Sequence, residues 1–349
     1  MTSFLTFDDV LIEPAYSNVM HRSEIDISRE FLGKKFAYPI ISANMNNVTE
    51  DGMALAMSAA GAFYVVHRFL SDEALYDIFD VLVMGGLERL SMSIGVRDPL
   101  AELNRVLQIS KFGGGVLDRL VVTVDIAHGH HIRVADMVKR LKDAGVPYVI
   151  AGNVATVHGF RFLESAGVDA VKVGIGPGSV CTTREVTGVG VPQFSAIQRI
   201  AHSRRPLMGV ALPQTPIIAD GGVKNSGDIV KALAAGADMV MIGSLLAGTN
   251  EAPGERRVDK DGKIWRPYVG QSIFGTNRDM YTVEGVEGWV EEKGPAVEVL
   301  ERLSGGIVSG LSYVGARNLA ELREKALFIR VSNGASLENG TRVRLDEGF

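Results

Sequence analysis

Eight short apolar segments recur along the chain, and their spacing constrains the fold more than any other feature of the sequence. They are PIISA (39–43), AFYVV (62–66), LSMSIG (90–95), LVVTVD (120–125), YVIAG (148–152), AVKVG (170–174), PIIAD (216–220) and MVMIG (239–243). Most are separated by stretches with helical periodicity, such as HIRVADMVKRLKDAG and SGDIVKALAAGAD. Continuous apolar strands that alternate with amphipathic helices indicate a buried parallel sheet. Eight such units predict a closed (β/α)8 barrel, the TIM-barrel architecture, with a doubly wound open sheet as the alternative.

Composition narrows the class of protein. Of the 349 residues, 46% are hydrophobic and 22% are charged, which is enough apolar material for a substantial core. The net charge of −5 does not favour a nucleic acid or a membrane surface as a partner. The longest apolar runs are broken by glycine, and residues 1–14 carry acidic side chains where a leader peptide would be basic and apolar. A single cysteine fits a reducing compartment. We therefore expect a soluble cytoplasmic protein.

Polar or glycine residues follow seven of the eight predicted strands. In chain order they are Asn44-Met45-Asn46, His67-Arg68, Asp125 with His128-Gly129-His130-His131, Asn153, a glycine-rich loop, Asp220-Gly221-Gly222 and Gly243-Ser244. In a parallel barrel these strand ends converge on one face, where the βα loops build the active site. Only the third strand, which ends in Gly95, adds nothing distinctive. We predict an active site at this face.

The glycine-rich loop contains the only cysteine of the chain, in KVGIGPGSVCTTREVTGVGVPQ (172–193). A lone cysteine is most often a small buried apolar residue. Here the surrounding backbone N–H groups and hydroxyls favour thiolate over thiol, and the loop follows a strand at the predicted catalytic face. Cys181 is therefore predicted to be a nucleophile. Zinc is not expected, because the nearby histidines lack regular ligand spacing.

The ends of the seventh and eighth strands predict a phosphorylated ligand. Glycine turns at Gly222 and at Gly243-Ser244 present backbone N–H groups in the loops where barrels commonly bind phosphate, and Ser179 adds a hydroxyl. Asp220 can accept hydrogen bonds from two ribose hydroxyls. No G-x-G-x-x-G opens a βαβ unit, so a nicotinamide cofactor would lie across the barrel mouth instead of in a Rossmann crevice.

Residues 251–294 depart from the alternation of strands and helices. They are rich in charge and glycine, which predicts a hairpin and a mobile flap over the barrel mouth. An ordinary surface insertion is the alternative. With this excursion included, residues 1–349 are interpreted as a single catalytic domain.

Taken together, these motifs resemble the IMP dehydrogenase and GMP reductase family. The resemblance rests on GIGPGSVCTTR, GVGVPQ, ADGG, GDIVKALAAGAD and VMIGSLLAG, with FDDVLIEP and SANMNNV near the N-terminus, and it covers nearly the whole chain. It implies a (β/α)8 barrel, a homotetramer, and covalent catalysis at C2 of a purine nucleotide such as GMP or IMP. It also implies that Cys181 attacks C2 and that hydride moves to or from a nicotinamide cofactor stacked on the purine.

The family has two reactions, and the residues favour the reductase. Dehydrogenases usually carry a CBS domain after the second strand and an adjacent Arg-Tyr pair on the flap. Here residues 67–90 hold one helix-sized connection, and two residues separate Arg278 from Tyr281. In reductases a flap glutamate and the second threonine of the CTT motif handle ammonia departure, and Glu284 and Thr183 match these. The resemblance thus implies NADPH-dependent reduction of GMP to IMP and ammonia.

Two alternatives stay open at this point. GSLLAGTNEAPGE and GVEGWVEEKG are closer to dehydrogenase sequences, so an IMP dehydrogenase without the CBS domain is the first. A non-catalytic barrel that binds purine nucleotides is the second, although the intact catalytic motif argues against it.

The resemblance also assigns the remaining site residues. The backbone carbonyls of Gly176, Gly178 and Cys181 match ligands of a monovalent cation, usually potassium. The phosphate contacts of the family match Ser179, Gly222, Gly243 and Ser244, and the ribose contact matches Asp220. Met45 matches a residue near the purine, and core packing is the alternative for it. The cofactor side matches Asp125, Asn153 and Gly174.

Overall fold

Each of the eight predicted segments forms a strand. The computed structural model describes residues 3–112, 115–205, 214–270, 284–332 and 334–335. Its strands are β1 (Val10–Ile12), β2 (Arg29–Phe31), β3 (Lys34–Phe36), β4 (Ile40–Ser42), β5 (Phe63–Tyr64), β6 (Leu90–Ile94), β7 (Leu120–Asp125), β8 (Tyr148–Val154), β9 (Ala170–Val173), β10 (Ile217–Asp220), β11 (Met239–Ile242), β12 (Arg257–Val258), β13 (Ile264–Val269), β14 (Glu287–Glu291) and β15 (Phe328–Arg330). The predicted segments are β4–β11.

Helices connect the strands as the periodicity predicts. They are α1 (Asp51–Ala59), α2 (Asp72–Met84), α3 (Pro99–Ile109), α4 (Val116–Arg119), α5 (Ile132–Asp143), α6 (Val157–Ser165), α7 (Thr183–Thr187), α8 (Gln193–Ser203), α9 (Ser226–Ala234), α10 (Ala296–Val314) and α11 (Leu319–Lys325). Side chains cap several of them: Ser71 accepts a hydrogen bond from the backbone N–H of Ala74, and Asn225 from that of Asp228. Among the described helices, none combines the length and the apolar character needed to cross a lipid bilayer.

The central sheet closes into a barrel. Its strands pair in parallel in the order β5-β4-β11-β10-β9-β8-β7-β6. A parallel bridge between Val66 and Met92 joins the two ends, and the Ser93 backbone N–H donates to the Val66 carbonyl at 2.8 Å. The (β/α)8 prediction is therefore confirmed, and the alternative of an open doubly wound sheet is wrong.

Alternation along the strands divides the buried side chains into two cores. One set, including Val122 and Val124 of β7, faces the helices, whereas the other set fills the barrel. At the N-terminal end of the barrel, the β2–β3 hairpin inserts Phe31 and Phe36 against Phe63, with ring centroids 5.5 and 5.4 Å from that of Phe63. This apolar plug closes the bottom, so the barrel opens at the carboxyl ends of its strands.

The excursion after β11 includes an antiparallel sheet. Strand β13 pairs with β12 on one side and with β14 on the other, where Tyr268 lies opposite Gly288. The expected hairpin thus exists within 251–270 and 284–291, and its tip lies outside the described residues. Between β5 and β6, where one helix-sized connection was expected, the described structure has α2.

Candidate active site

A cavity of about 440 Å³ opens at the carboxyl ends of the barrel strands. Its walls include eleven of the predicted site residues: Met45, Asp125, Asn153, Gly174, Gly176, Gly178, Cys181, Thr183, Asp220, Gly243 and Glu284. Residues from the ends of β4, β7, β8, β9, β10 and β11 are therefore brought together at one mouth. Ser179, Gly222 and Ser244 belong to the same loops but do not line the cavity itself.

Three side chains at this mouth form a hydrogen-bonded chain. The thiol of Cys181 donates to Oγ1 of Thr183 at 3.1 Å, and the Thr183 hydroxyl donates to Oε2 of Glu284 at 2.7 Å. Cys181 is half-buried, so its sulfur faces the cavity without being fully exposed. The arrangement can carry a proton from the thiol through the hydroxyl to the carboxylate.

Backbone pairing holds the glutamate in place. Cys181 forms an antiparallel bridge with Gly285, and the Val286 backbone N–H donates to the Val180 carbonyl at 3.1 Å. The Thr182 N–H donates to the Glu284 carbonyl at 3.2 Å. The segment that leads into β14 therefore lies on the cysteine loop as an added strand, which is why residues so distant in sequence meet.

Glycines allow the loops after β9 and β10 to touch. Gly174 has φ +152°, and a Cβ there would lie 2.0 Å from the carbonyl oxygen of Asp220. Gly221 has φ +91°, and a Cβ there would lie 2.9 Å from Cγ of Pro177. No other residue type fits this close approach without backbone movement. As a result the cysteine loop lies directly beside the Asp220 loop.

The Tyr268 side chain lies beside the two loops predicted to bind phosphate. Its hydroxyl donates to Sδ of Met45 at 3.8 Å. Burial raises the pKa of Tyr268 more than the neighbouring Ser179 and Ser244 lower it, so the hydroxyl stays neutral and can donate. Gly243 leaves room for it, because a Cβ there would lie 2.8 Å from the Tyr268 oxygen. Sequence reasoning overlooked Tyr268, although a tyrosine in the flap strand IWRPYV was a visible signal.

A buried lysine contacts two of the carboxylates that line the cavity. The ammonium of Lys172 lies 2.7 Å from Oδ1 of Asp125, 2.9 Å from Oδ1 of Asn44 and 3.2 Å from Oδ2 of Asp220. Burial acts against both charges of the Lys172–Asp125 pair. Their mutual attraction outweighs it, so the pKa of Lys172 lies above and that of Asp125 below its ordinary value. Both groups are charged at neutral pH.

The amide of Asn153 connects the two sides of the cavity. Its Nδ2 donates to the Gly174 carbonyl and to Oδ2 of Asp220, both at 2.8 Å. Gln193 supports the same loops by donating to the carbonyls of Val173 at 2.7 Å and Asp220 at 3.1 Å. Asn153, which was expected on the cofactor side, thus also contacts Asp220, the residue predicted to bind the ribose.

Comparison with known proteins agrees with this geometry. The family model described as the IMP dehydrogenase / GMP reductase domain matches residues 4–342. The chain belongs to the IMP dehydrogenase/GMP reductase family. The resemblance drawn from the sequence motifs is confirmed, and the chain is an oxidoreductase of this family.

Relatives carry both names of the family. GMP reductase of Bacillus subtilis is 38% identical over 346 residues, which cover 98% of this chain and all of that protein. GMP reductase of Staphylococcus carnosus is 38% identical over 339 residues, covering 96% of this chain and 98% of that protein. Inosine-5′-monophosphate dehydrogenase of Aquifex aeolicus is 34% identical over 464 aligned positions, covering 94% and 93%.

His67 and Arg68, which follow β5, have different roles. Arg68 lines the cavity, with its Nε 4.0 Å from Oδ2 of Asp125 and its guanidinium stacked on Phe69. His67 is buried, and its Nε2 lies 3.1 Å from Oε1 of Glu50. Arg68 is therefore a cavity residue that the sequence prediction did not select.

The histidines after β7 have local structural roles. His131 accepts a hydrogen bond from the backbone N–H of Arg133 and so caps α5. His130 packs on Phe162, with ring centroids 4.9 Å apart. The separated pair Arg278 and Tyr281 lies outside the described residues.

Proposed function

We propose that the chain is a GMP reductase that converts GMP and NADPH to IMP, ammonia and NADP⁺. The observation that carries the proposal is the chain of hydrogen bonds from Cys181 through Thr183 to Glu284. A nucleophilic thiol that is connected to a carboxylate through one hydroxyl suits a reaction in which an amino group must gain a proton and leave as ammonia.

In the first step the Cys181 sulfur bonds to C2 of the purine, and the bond between C2 and the exocyclic amino nitrogen breaks. The proton lost from sulfur passes through Thr183 to Glu284 and then to the departing nitrogen, which leaves as ammonia. When bound, NADPH supplies a hydride to C2. The C2–S bond then breaks and the thiolate of Cys181 returns, so GMP, one hydride and one proton give IMP and ammonia.

The loops after β9, β10 and β11 would hold the nucleotide. Tyr268 lies beside Ser179 and Ser244, and the turns at Gly222 and Gly243 would present backbone N–H groups for phosphate. Asp220 would contact the ribose. Met45, whose sulfur lies 3.8 Å from the Tyr268 hydroxyl at the cavity wall, would lie beside the purine.

The opposite side of the cavity would hold the cofactor. Asp125, Asn153 and Gly174 line it, together with the apolar Ile126 and Ala127. A flat ring between apolar walls, with polar groups below it, is a chemical environment that suits a nicotinamide. The guanidinium of Arg68 at the rim suits the negative charges of a dinucleotide phosphate.

The alignments and the connectivity support the reductase over the dehydrogenase. The alignment with the Aquifex aeolicus dehydrogenase spans 464 positions, 115 more than the 349 residues of this chain, whereas the Bacillus subtilis reductase aligns over 346. The connection between β5 and β6 contains only α2. An IMP dehydrogenase without the CBS domain is the second candidate, because that dehydrogenase is still 34% identical to this chain.

Further features of the family are proposed on the same basis. The carbonyls of Gly176, Gly178 and Cys181 would bind potassium. The Gly178 carbonyl accepts a hydrogen bond from the Cys181 N–H at 3.1 Å, which leaves one lone pair for a cation. The enzyme is proposed to be a homotetramer of the cytoplasm, and the single cysteine and the net charge of −5 support the latter.

Two parallel assays test the function. Purified protein with GMP and NADPH should oxidise NADPH and release IMP and ammonia in equal amounts. The same protein with IMP and NAD⁺ should produce no XMP at a comparable rate. XMP formation without NADPH oxidation would establish the dehydrogenase instead.

A further inference from the structure

The strand AVKV places a lysine among the side chains that fill the barrel. In β9, Val171 and Val173 face the helices, so Lys172 points into the barrel. Its side chain is 2% exposed. Gly152 on the adjacent strand makes the space, since a Cβ there would lie 2.5 Å from Cβ of Lys172. A fully buried ammonium is costly unless it is paired, which indicates that the site is built around it.

The Lys172 ammonium bridges two carboxylates that line opposite sides of the cavity. It contacts Oδ1 of Asp125 at the end of β7 and Oδ2 of Asp220 at the end of β10. Asn153 donates to the same Oδ2 of Asp220 at 2.8 Å. The contacts from Lys172 and Asn153 are therefore both made to Oδ2 of Asp220. Among the described residues no hydrogen bond reaches Oδ1, and the side chain is 21% exposed at the cavity wall.

We propose that Lys172 is a positioning residue that fixes Asp220 with Oδ1 facing the nucleotide and thereby determines selectivity for ribose over 2′-deoxyribose. This inference rests on the proposed function, because it requires a purine nucleotide in the cavity. Lys172 does not touch the substrate. It acts by holding Asp220 in one rotamer and by neutralising the repulsion between Asp220 and Asp125.

Removal of the ammonium has a consequence that a packing role would not have. Without Lys172, the two carboxylates share a site in which the nearest cation among the described residues is Arg68, 4.0 Å from Asp125. Two such carboxylates hold one proton more tightly, which raises the pKa of the pair. The other ionisable groups that act on the pair in the described part of the chain are Arg68 and Tyr268, whose buried hydroxyl stays neutral. A new titration is therefore expected in the variant.

The test compares Lys172→Met with Lys231→Met by calorimetric binding of GMP, IMP and 2′-deoxy-GMP. Lys231 is the matched control because it is also buried and paired, with Phe7 and Asp228, but lies outside the cavity. We expect wild type and K231M to bind 2′-deoxy-GMP at least tenfold more weakly than GMP. In K172M the GMP affinity should fall at least tenfold, and the ratio between the two ligands should shrink to below threefold.

The pH dependence gives the second measurement. The nucleotide phosphate itself titrates at about pH 6, so each variant is compared with wild type at the same pH. The ratio of K172M to wild-type Kd should rise as the pH falls from 8 to 5.5, because a proton held by the pair of carboxylates removes an acceptor for the nucleotide. The double variant K172M/D125N leaves a single carboxylate and should lose this pH dependence. It also relieves the charge imbalance, so it can be measured if K172M folds poorly.

The outcomes separate this inference from the proposed function. If K172M keeps the wild-type ligand ratio and pH profile, Lys172 has no role in ligand selection and the inference is wrong. If wild type binds GMP but fails to oxidise NADPH with it, the proposed function is wrong, and the binding ratios still judge Lys172. If wild type binds neither GMP nor IMP, both fail together.

Discussion

The hydroxyl of Thr183 and the carboxylate of Glu284 lie 101 residues apart in sequence and 2.7 Å apart in space. Thr183 begins α7 within the glycine-rich loop 172–193, whereas Glu284 belongs to the segment before β14. Their contact exists because that segment pairs with the glycine-rich loop through the bridge between Cys181 and Gly285. The carboxylate proposed to be catalytic therefore comes from the excursion after the last barrel strand.

Replacing Thr183 by valine should slow the reaction without weakening nucleotide binding. Valine keeps the shape but cannot relay a proton between sulfur and carboxylate, so kcat should fall about 10²- to 10⁴-fold. Glu284→Gln should lose a similar factor. Steady-state rates of ammonia release measure both effects, and Thr183→Ser, which keeps the hydroxyl, should retain most activity. A T183V enzyme as fast as T183S would exclude the relay.

Replacing Cys181 by alanine should abolish turnover and leave nucleotide binding largely intact. In the proposed reaction the sulfur would bond to C2, whereas the phosphate and ribose contacts would come from other residues. GMP should raise the melting temperature of the variant by about as much as it raises that of wild type. Undiminished turnover of C181A would contradict covalent catalysis.

Replacing Tyr268 by phenylalanine should raise KM for the nucleotide about three- to tenfold, with little change in kcat. Phenylalanine lacks the hydroxyl that Tyr268 places at the cavity wall beside Ser179 and Ser244, and one net hydrogen bond is worth about 0.5–1.5 kcal/mol. Initial-rate kinetics against nucleotide concentration measure the change. Tyr313→Phe, at a side chain 66% exposed on α10, is the control and should match wild type. An unchanged KM in Y268F would show that the two serines do not depend on this hydroxyl.

Replacing Asp238 by asparagine should destabilise the fold at neutral pH and not at low pH. Burial opposes ionisation of Asp238, but the guanidinium groups of Arg323, Arg204 and Arg29 outweigh it, so its pKa lies below the ordinary value. Breaking a buried charge network of this kind costs about 3–5 kcal/mol.

The sign of its pH dependence follows from the lowered pKa. The stabilisation is fully present above the unfolded pKa of about 3.9 and is lost as the pH falls through the lower folded value. Urea unfolding from pH 7 to pH 3 should therefore show the free-energy difference between wild type and D238N narrowing below about pH 4. Asp77→Asn, at an exposed position of α2, should show no such difference at any pH. A gap between wild type and D238N that stays constant would assign the loss to packing.

The barrel could be predicted from the sequence because its signal is local. Each strand is a short apolar run and each helix has its own periodicity, so neither requires knowledge of distant contacts. Seven polar strand ends located the mouth for the same reason. The strand boundaries were less accurate: β5 contains only Phe63–Tyr64, and β8 continues to Val154 with a shift of register against β9.

The residues that were missed depend on distant contacts. Lys172 was interpreted as part of an apolar strand, because its partners Asp125 and Asn44 lie 47 and 128 residues away. Tyr268 is visible in the excursion strand IWRPYV, but its sequence does not show that it lies beside Ser179 and Ser244. Glu284 was found only through the family resemblance, because spacing alone gives no reason to place it beside Thr183.

The most direct test of covalent deamination is to trap the intermediate. Protein incubated with GMP and NADP⁺ has an occupied cofactor site but no hydride to transfer, so the reaction should stop after ammonia leaves. Intact-protein mass spectrometry after acid quenching should show a purine ribotide without its amino group attached to Cys181, together with an equal amount of ammonia. An adduct that forms with IMP and NAD⁺ but never with GMP would contradict the account.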